Sequence, residues 1–355
     1  MAYFTVDKVA FRGVAACVPK TVLRTEDISL FTQEEAQKFN EQVGIFRRHI
    51  ADESVCTSDL CYEAAVKLIE ELHWERKDID ALVFVSTTPD YRTPATSCIL
   101  QDRLGLSTNC FTLDISLGCC GYLHGLTVLS SLISANHGLI KKALLLVGDT
   151  LYRTSSPYDK SRLPLFGDAG TASALEYDDN APALDSLSHT DGSFHLVTIT
   201  PDSGFRHPVT LESFIYEDYG DGIKRARIHG NMNGLDVFPF AIKQGPKVMN
   251  EFMEHYGIDR DKDVDYFLFH QANLQIMKIV DKKLKIDEKN KVPFAIEDFG
   301  NTSCACIPLV MVSRIREQLQ TKPLTMLLSV VGVGFTWGVV RLKTNKIVCP
   351  ELIEL

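Results

Sequence analysis

The stretch that decides the reading is residues 113–126, LDISLGCCGYLHGL. A β-favouring run over residues 111–116 gives way to Gly118, Cys119, Cys120 and Gly121, and a helical pattern of leucines at 123, 126, 129 and 132 follows at once. That order sets a cysteine at the first turn of a helix. Unpaired backbone N–H groups and the positive end of the helix dipole favour thiolate over thiol there, and small neighbours admit a substrate carbonyl. Cys119 is therefore a candidate nucleophile. The plain alternative is a pair of small apolar residues filling a tight strand-to-helix junction, so the surrounding chain has to decide.

Outward from this stretch the chain alternates strands and helices. Residues 81–88 (ALVFVSTT) and 143–149 (ALLLVGD) are continuous apolar runs, as expected of strands buried on both faces. Residues 95–104 read as a helix starting just after Pro94, and residues 58–74 as an amphipathic helix with Leu60, Ala64, Ala65, Leu68 and Leu72 on one stripe. Ahead of them, residues 9–18 read as a strand and residues 25–42 as a polar helical region capped near Thr25. The pattern returns later: strands at 266–270, 293–299 and 326–331, helices at 274–284 and 307–319. The three later strands start about 183 residues after their counterparts at 81, 111 and 143. A constant offset over three elements predicts a duplicated unit, with halves at 1–178 and 179–355. Residues 177–227, rich in turn residues, read as loops and hairpins joining the halves.

Composition narrows the class. With 355 residues, 45 % apolar and 23 % charged, the chain has the balance of an ordinary globular protein large enough for two packed lobes. A net charge of −9 argues against general nucleic-acid binding. Asp7, Lys8 and Arg12 interrupt the first apolar stretch, so it does not read as a signal peptide, and the apolar-leaning run at 125–140 is too broken for a membrane span. The reading is a cytoplasmic protein. Ten cysteines without an even framework read as thiols, and without a CxxC pair or an HExxH helix no metal site is expected.

In α/β sheets ligands meet the chain at the carboxyl ends of strands. Cys119, His270 with Asn273, and Asn301 all follow expected core strands, so a thiol, an imidazole and a carboxamide can converge. Together they offer what acyl transfer through a thioester needs: a soft nucleophile, a proton donor or acceptor, and a neutral donor for developing negative charge. Taken singly, His270 reads equally as a core histidine and Asn301 as a turn residue.

Six motifs now make a resemblance specific: GIFRRHIA (44–51), SLGCCGY (116–122), FGDAG (166–170), HQAN (270–273), GNTS (300–303) and GVGFTWG (332–338). In this order and spacing the chain resembles, nearly end to end, the β-ketoacyl-acyl-carrier-protein synthase III family of the thiolase superfamily. The resemblance implies a five-layered αβαβα fold of two duplicated halves, a homodimer, and Cys119, His270 and Asn301 as the catalytic triad. It further implies an oxyanion hole from the backbone N–H groups of Cys119 and Gly334, with Cys120 pointing into the fold. The activity implied is decarboxylative Claisen condensation of an acyl thioester with a malonyl thioester, substrates that carry their own phosphopantetheine as acyl-carrier protein or coenzyme A, so that no separate cofactor is called for. An acyltransferase of the same fold, moving the acyl group to a hydroxyl or amine without decarboxylation, shares the triad and stays open. A non-catalytic partner subunit is the third alternative, and the complete triad argues against it.

The chain also departs from the family pattern. Lys38 and Gln42 stand where coenzyme A-primed members carry a tryptophan and an arginine, and Gln275 and Lys160 replace two further arginines. Neither lysine nor glutamine reproduces a stacked, bidentate guanidinium, which points away from coenzyme A as acyl donor. Lys278, Lys282, Lys283 and Lys285 line a helix after HQAN, and with Asn273 they are the expected pantetheine and carrier-protein contacts. Thr93 stands where relatives place a phenylalanine that closes the acyl pocket across the dimer interface, which predicts a longer acyl chain and a specialised fatty-acid or secondary-metabolite pathway.

Overall fold

A computed structural model describes residues 2–332 and 335–355. The first half lays down strands β1 (Ala2–Val6), β2 (Val9–Val18), β3 (Ile79–Val85), β4 (Phe111–Ile115), β5 (Lys142–Asp149) and β6 (Ala169–Tyr177), and the second half β7 (Leu184–Thr190), β8 (Tyr266–Phe269), β9 (Leu324–Gly332), β10 (Thr336–Thr344) and β11 (Ile353–Glu354). Between them run helices α1 (Gln33–Val43), α2 (Thr57–Glu71), α3 (Thr96–Arg103), α4 (Gly121–Ala135), α5 (Gly234–His255), α6 (Leu274–Leu284), α7 (Ile296–Phe299), α8 (Cys306–Arg314) and α9 (Arg316–Thr321).

Two sheets result, in the orders β11-β2-β6-β5-β3-β4 and β1-β7-β10-β9-β8. Their centres match strand for strand. β3 and β5 are parallel, β5–β6 and β6–β2 antiparallel; β8 and β9 are parallel, β9–β10 and β10–β7 antiparallel. The duplication read from sequence is present in the pairing. Each terminus crosses over: β1 pairs with β7 of the second sheet, and β11 with β2 of the first.

Strand alternation builds the layers. In β3, Val83 and Val85 face a central core with α4 and α8, while Leu82 and Phe84 face α2 and α3. In the second sheet, Leu268 and Val330 face the same central core, and Phe267, Phe269 and Leu327 face α5 and α6. Helices thus cover both sheets outside and separate them inside, giving the αβαβα fold. Glycines set the close approach of α4: a β-carbon on Gly121 would lie 2.6 Å from Val85 Cγ1, and one on Gly125 2.7 Å from Leu145 Cδ1.

Three expectations are corrected. Residues 293–299 form no strand but end in the single-turn α7, because Pro293 has no N–H to give a ladder and the Ala295 N–H donates to the buried Gln271 side chain instead. The second sheet therefore ends at β8, with no counterpart of β4 among the described residues. The first helix is capped at Thr32, in a capping box with Glu35; Thr25 is buried in a preceding 3-10 turn, its hydroxyl donating to the Ile45 carbonyl. Residues 307–319 are two helices, broken at Ile315, whose ψ of 20° at φ −127° leaves the helical region. The long α5, with Pro239 and Pro246 inside it, was masked in sequence by those prolines.

Candidate active site

Cys119 lies in the turn between β4 and α4, two residues ahead of the first helical residue and not within the helix. The turn is closed by the Gly121 N–H donating to the Gly118 carbonyl at 2.6 Å. From the second half, Gly332 at the end of β9 leaves room for it: a β-carbon there would sit 3.1 Å from both the Cys119 Cβ and the Cys120 nitrogen. Cys120 points inward, its thiol donating to the Thr336 carbonyl at 2.9 Å, and burial pushes its pKa up to about 12. The two adjacent cysteines are thus divided, one partly exposed and one sealed as a thiol.

His270 follows β8, its N–H donating to the Ser329 carbonyl of β9. The ring is buried, which lowers its pKa to about 4. At neutral pH it is uncharged. Its Nδ1 lies 2.9 Å from Cys306 Sγ, a buried thiol whose pKa is raised by desolvation. The Cys306 S–H can donate to the neutral Nδ1, and in that pairing the imidazole proton sits on Nε2.

Asn301 reaches the site although the strand expected before it is missing. The loop carrying it crosses the FGDAG segment: Asn301 and Phe166 form a parallel bridge, the Asn301 N–H donates to the Leu165 carbonyl, and the Gly167 N–H donates to the Asn301 carbonyl. Both crossing points need glycine. A β-carbon on Gly167 would stand 2.1 Å from the Phe299 carbonyl oxygen, and Gly300 sits at φ +65°. Asn301 Oδ1 accepts from the Ser303 N–H at 2.9 Å. That bond orients the amide, and its NH2 group is the part left to donate.

FGDAG also contributes Asp168, whose carboxylate accepts from the Ala51 and Tyr152 N–H groups. Burial raises its pKa to about 6. It ties two loops beneath the crossing.

Cys119, His270 and Asn301 line one cavity of about 320 Å³, with Gly118, Ser303 and Gly332 beside them. Residues 198–200 and 230–238 supply much of the opposite wall, including Ile199, Met232 and Phe238. Asn273 lines the same cavity while its Oδ1 caps α6 through the Gln275 and Ile276 N–H groups. Lys278 and Lys282 are exposed one turn apart on α6, with no ion pair among the described residues, whereas Lys283 donates to the Ile242 carbonyl. Thr93 is exposed in the loop before α3 and does not line the cavity of its own chain. Gly334 lies outside the described residues.

Sequence reasoning missed Gln271, Gly332, Cys306 and Arg162. Gln271 and Gly332 lie inside the HQAN and GVGFTWG motifs, and Cys306 stands five residues after Asn301, at a spacing no motif marks. Arg162, a guanidinium in the cavity wall, gives no sequence signal: it stands beside an apolar run, LPLF, as any surface arginine could.

A cysteine, a neutral histidine and an asparagine meeting across duplicated αβαβα halves define a thiolase-fold enzyme of acyl-thioester chemistry. Family models agree: residues 113–192 match 3-oxoacyl-[acyl-carrier-protein (ACP)] synthase III and residues 254–344 its C-terminal model. A β-ketoacyl-[acyl-carrier-protein] synthase III of Xylella fastidiosa is 31 % identical over 93 % of this chain and 97 % of its own, and one of Campylobacter fetus is 31 % identical over 95 % and 98 %. Among solved structures, a 3-oxoacyl-(acyl-carrier protein) synthase from Burkholderia xenovorans LB400 superposes with a TM-score of 0.92 at 34 % identity, covering 100 % of this chain and 99 % of that one. The chain belongs to the β-ketoacyl-acyl-carrier-protein synthase III family.

Proposed function

We propose that this enzyme joins an acyl thioester to a malonyl thioester by decarboxylative Claisen condensation, with Cys119, His270 and Asn301 as its catalytic residues. Cys119 attacks the acyl thioester; the tetrahedral oxyanion is stabilised by backbone N–H donors at the turn, that of Cys119 first. The pantetheine thiol leaves with a proton, and the acyl group stays on sulfur. A malonyl thioester then enters. Nε2–H of His270 and the NH2 group of Asn301 donate to its thioester oxygen, the bond to the carboxylate breaks, and carbon dioxide departs, leaving its electron pair as an enolate. The enolate carbon attacks the acyl-cysteine carbonyl, and the Cys119 sulfur leaves and regains a proton. The product is a β-ketoacyl thioester. Both donors are neutral, so they stabilise charge that develops in the transition state more than the malonyl ground state.

The observation that carries this reading is the contact each second-half donor makes: with Cys306 donating to Nδ1 the His270 proton lies on Nε2, and the Ser303 N–H takes the Asn301 Oδ1 and so orients the amide with its NH2 group left to donate. An acyl transfer to a hydroxyl would need a base, whereas burial makes His270 a poor one.

Acyl-carrier protein is the partner we infer, for both substrates, and the scheme uses no metal or prosthetic group. Lys278 and Lys282 present charge on α6, whose N-terminal residues Asn273 and Ile276 border the cavity. Lys38 is neutralised by Glu34 and Lys160 by Glu35, which leaves little to grip a nucleotide. A homodimer is supported by β4, an edge strand with Phe111 46 % exposed and Thr93 in the loop nearby. In such a dimer Thr93 would face the partner's cavity.

The test is carbon dioxide release and β-ketoacyl formation from malonyl-acyl-carrier protein with acyl-carrier-protein or coenzyme A primers. Stoichiometric release, with carrier-protein primers preferred, is the expected result. Transfer of the acyl group to a hydroxyl acceptor without carbon dioxide would overturn it.

A further inference from the structure

The reading above accounts for the thiol, the imidazole and the carboxamide of the cavity but not for the charge in its wall. Arg162 lines the same cavity as Cys119 and is only 5 % exposed. Its guanidinium donates to neutral hydroxyls alone: Ser155 Oγ at 2.5 Å and Thr154 Oγ1 at 3.2 and 3.3 Å. Its Nε is buried with no partner, and no carboxylate forms an ion pair with it among the described residues. The nearest acid, Asp159, is committed elsewhere. One of its oxygens is bound by Arg225 at 2.5 Å and the other accepts from the Ser161 N–H and hydroxyl. Two arginines thus stand near one buried carboxylate that pairs with Arg225, and a net positive charge remains.

The site is shaped to hold that charge. Phe166 lies under the guanidinium, 4.7 Å from Cζ to the ring centroid, and a β-carbon on Gly230 would lie 2.5 Å from Cζ, so only glycine lets the arginine lie there. Phe166 is also the residue bridged to Asn301, which sets the cation one ring away from the triad. The rest of that wall includes Leu151, Leu165 and Ile199. A buried cation among apolar groups is costly unless a charge arrives to meet it, and burial already depresses the Arg162 pKa to about 10.

We propose that Arg162 is a specificity-determining residue that receives a carboxylate at the far end of the primer's acyl chain, so that the enzyme is primed by an ω-carboxyacyl thioester rather than a plain alkanoyl one. The inference rests on the acyl-cysteine reading above. A malonyl carboxylate is the other anion that enters the cavity, but an ion pair would stabilise the group that has to leave as neutral carbon dioxide and so would slow the reaction. A pantetheine amide is neutral and would leave the charge uncompensated.

The experiment compares length-matched primers, glutaryl and valeryl thioesters of acyl-carrier protein, by the rate of Cys119 acylation read as intact mass, in the wild type, Arg162→Gln and Arg162→Lys. Wild type is expected to favour glutaryl; Arg162→Gln should lose about 10²-fold on glutaryl while keeping or gaining on valeryl, and Arg162→Lys should retain part of the glutaryl rate. The conservative pair guards against misfolding, since a valeryl rate at wild-type level reports an intact site. Preference of the wild type for valeryl, or an equal loss on both primers, overturns the assignment while leaving the acyl-cysteine intact. A change confined to the malonyl KM also overturns it, by moving the carboxylate of the second substrate onto Arg162. Failure of both primers to acylate Cys119 removes the underlying reading and this one with it.

Discussion

The two halves of the molecule share a sheet but not an edge. In the first, β4 completes a parallel edge beside β3, and the nucleophile stands on the turn directly after it. In the second, the position of β4 is taken by the single-turn α7, and Asn301 is delivered by a loop that the first half holds in place through Phe166 and Gly167. Duplication supplied the frame, and divergence at one edge let the halves interlock. On the proposed scheme the difference divides the chemistry: the first half holds the acyl group, and the second stabilises the carbanion.

Removing the nucleophile is the harshest test of that division. Cys119→Ala should abolish acylation and condensation together, while Cys120→Ala should leave acylation intact and lower only stability, because its thiol is spent on the Thr336 carbonyl. Intact mass after incubation with acyl-carrier-protein thioesters separates the two.

Next in size are His270→Ala and Asn301→Ala. Each should lose carbon dioxide release by about 10²-fold or more, the usual effect of removing one oxyanion donor, while acylation of Cys119 continues. Parallel losses in both half-reactions would erase the distinction between the halves.

Cys306 sharpens the comparison further, through its contact with His270. Cys306→Ala should reduce kcat for condensation by about tenfold with the malonyl KM little changed, since a freed Nδ1 lets the proton choose either nitrogen. Cys306→Ser, which can still donate, should restore most of it. A purely packing role for Cys306 predicts that serine, polar and smaller, restores nothing.

The smallest effect is on stability against pH. His270 has a folded pKa of about 4 against 6.5 unfolded, so between those values the unfolded chain binds more protons and stability falls as pH drops. Asp168, raised from 3.8 to about 6, works the other way: the native state binds the extra proton and stability falls as pH rises through that window. Urea unfolding at pH 4.5 and 7 should show His270→Gln losing less on acidification than the wild type, and Asp168→Asn losing more.

Much of this was legible in the sequence because continuous apolar runs and a leucine stripe leave few alternatives. The bounds of β2 and α6 were read residue for residue. Where tertiary contacts override local pattern, reading failed. Residues 293–299 have strand composition, yet Gln271 captures the Ala295 N–H that a ladder would need. Thr25 looks like a cap, but burial gives its hydroxyl to the Ile45 carbonyl. At the site, residues on strand-end motifs were found, and those that act on them from another segment were not. Cys306 touches His270 across 36 positions, and Arg162 needs the absence of a side chain at Gly230. Neither relation has a local period.

The central claim is that the halves perform separable steps, and peptide-resolved mass spectrometry of Asn301→Ala measures it most directly. After incubation with an acyl-carrier-protein primer, the peptide spanning residues 113–126 should carry the acyl mass on Cys119 to the wild-type extent, and that mass should persist when malonyl-acyl-carrier protein is added, whereas the wild type discharges it. An adduct on Cys120, or discharge at the wild-type rate in Asn301→Ala, would contradict the account.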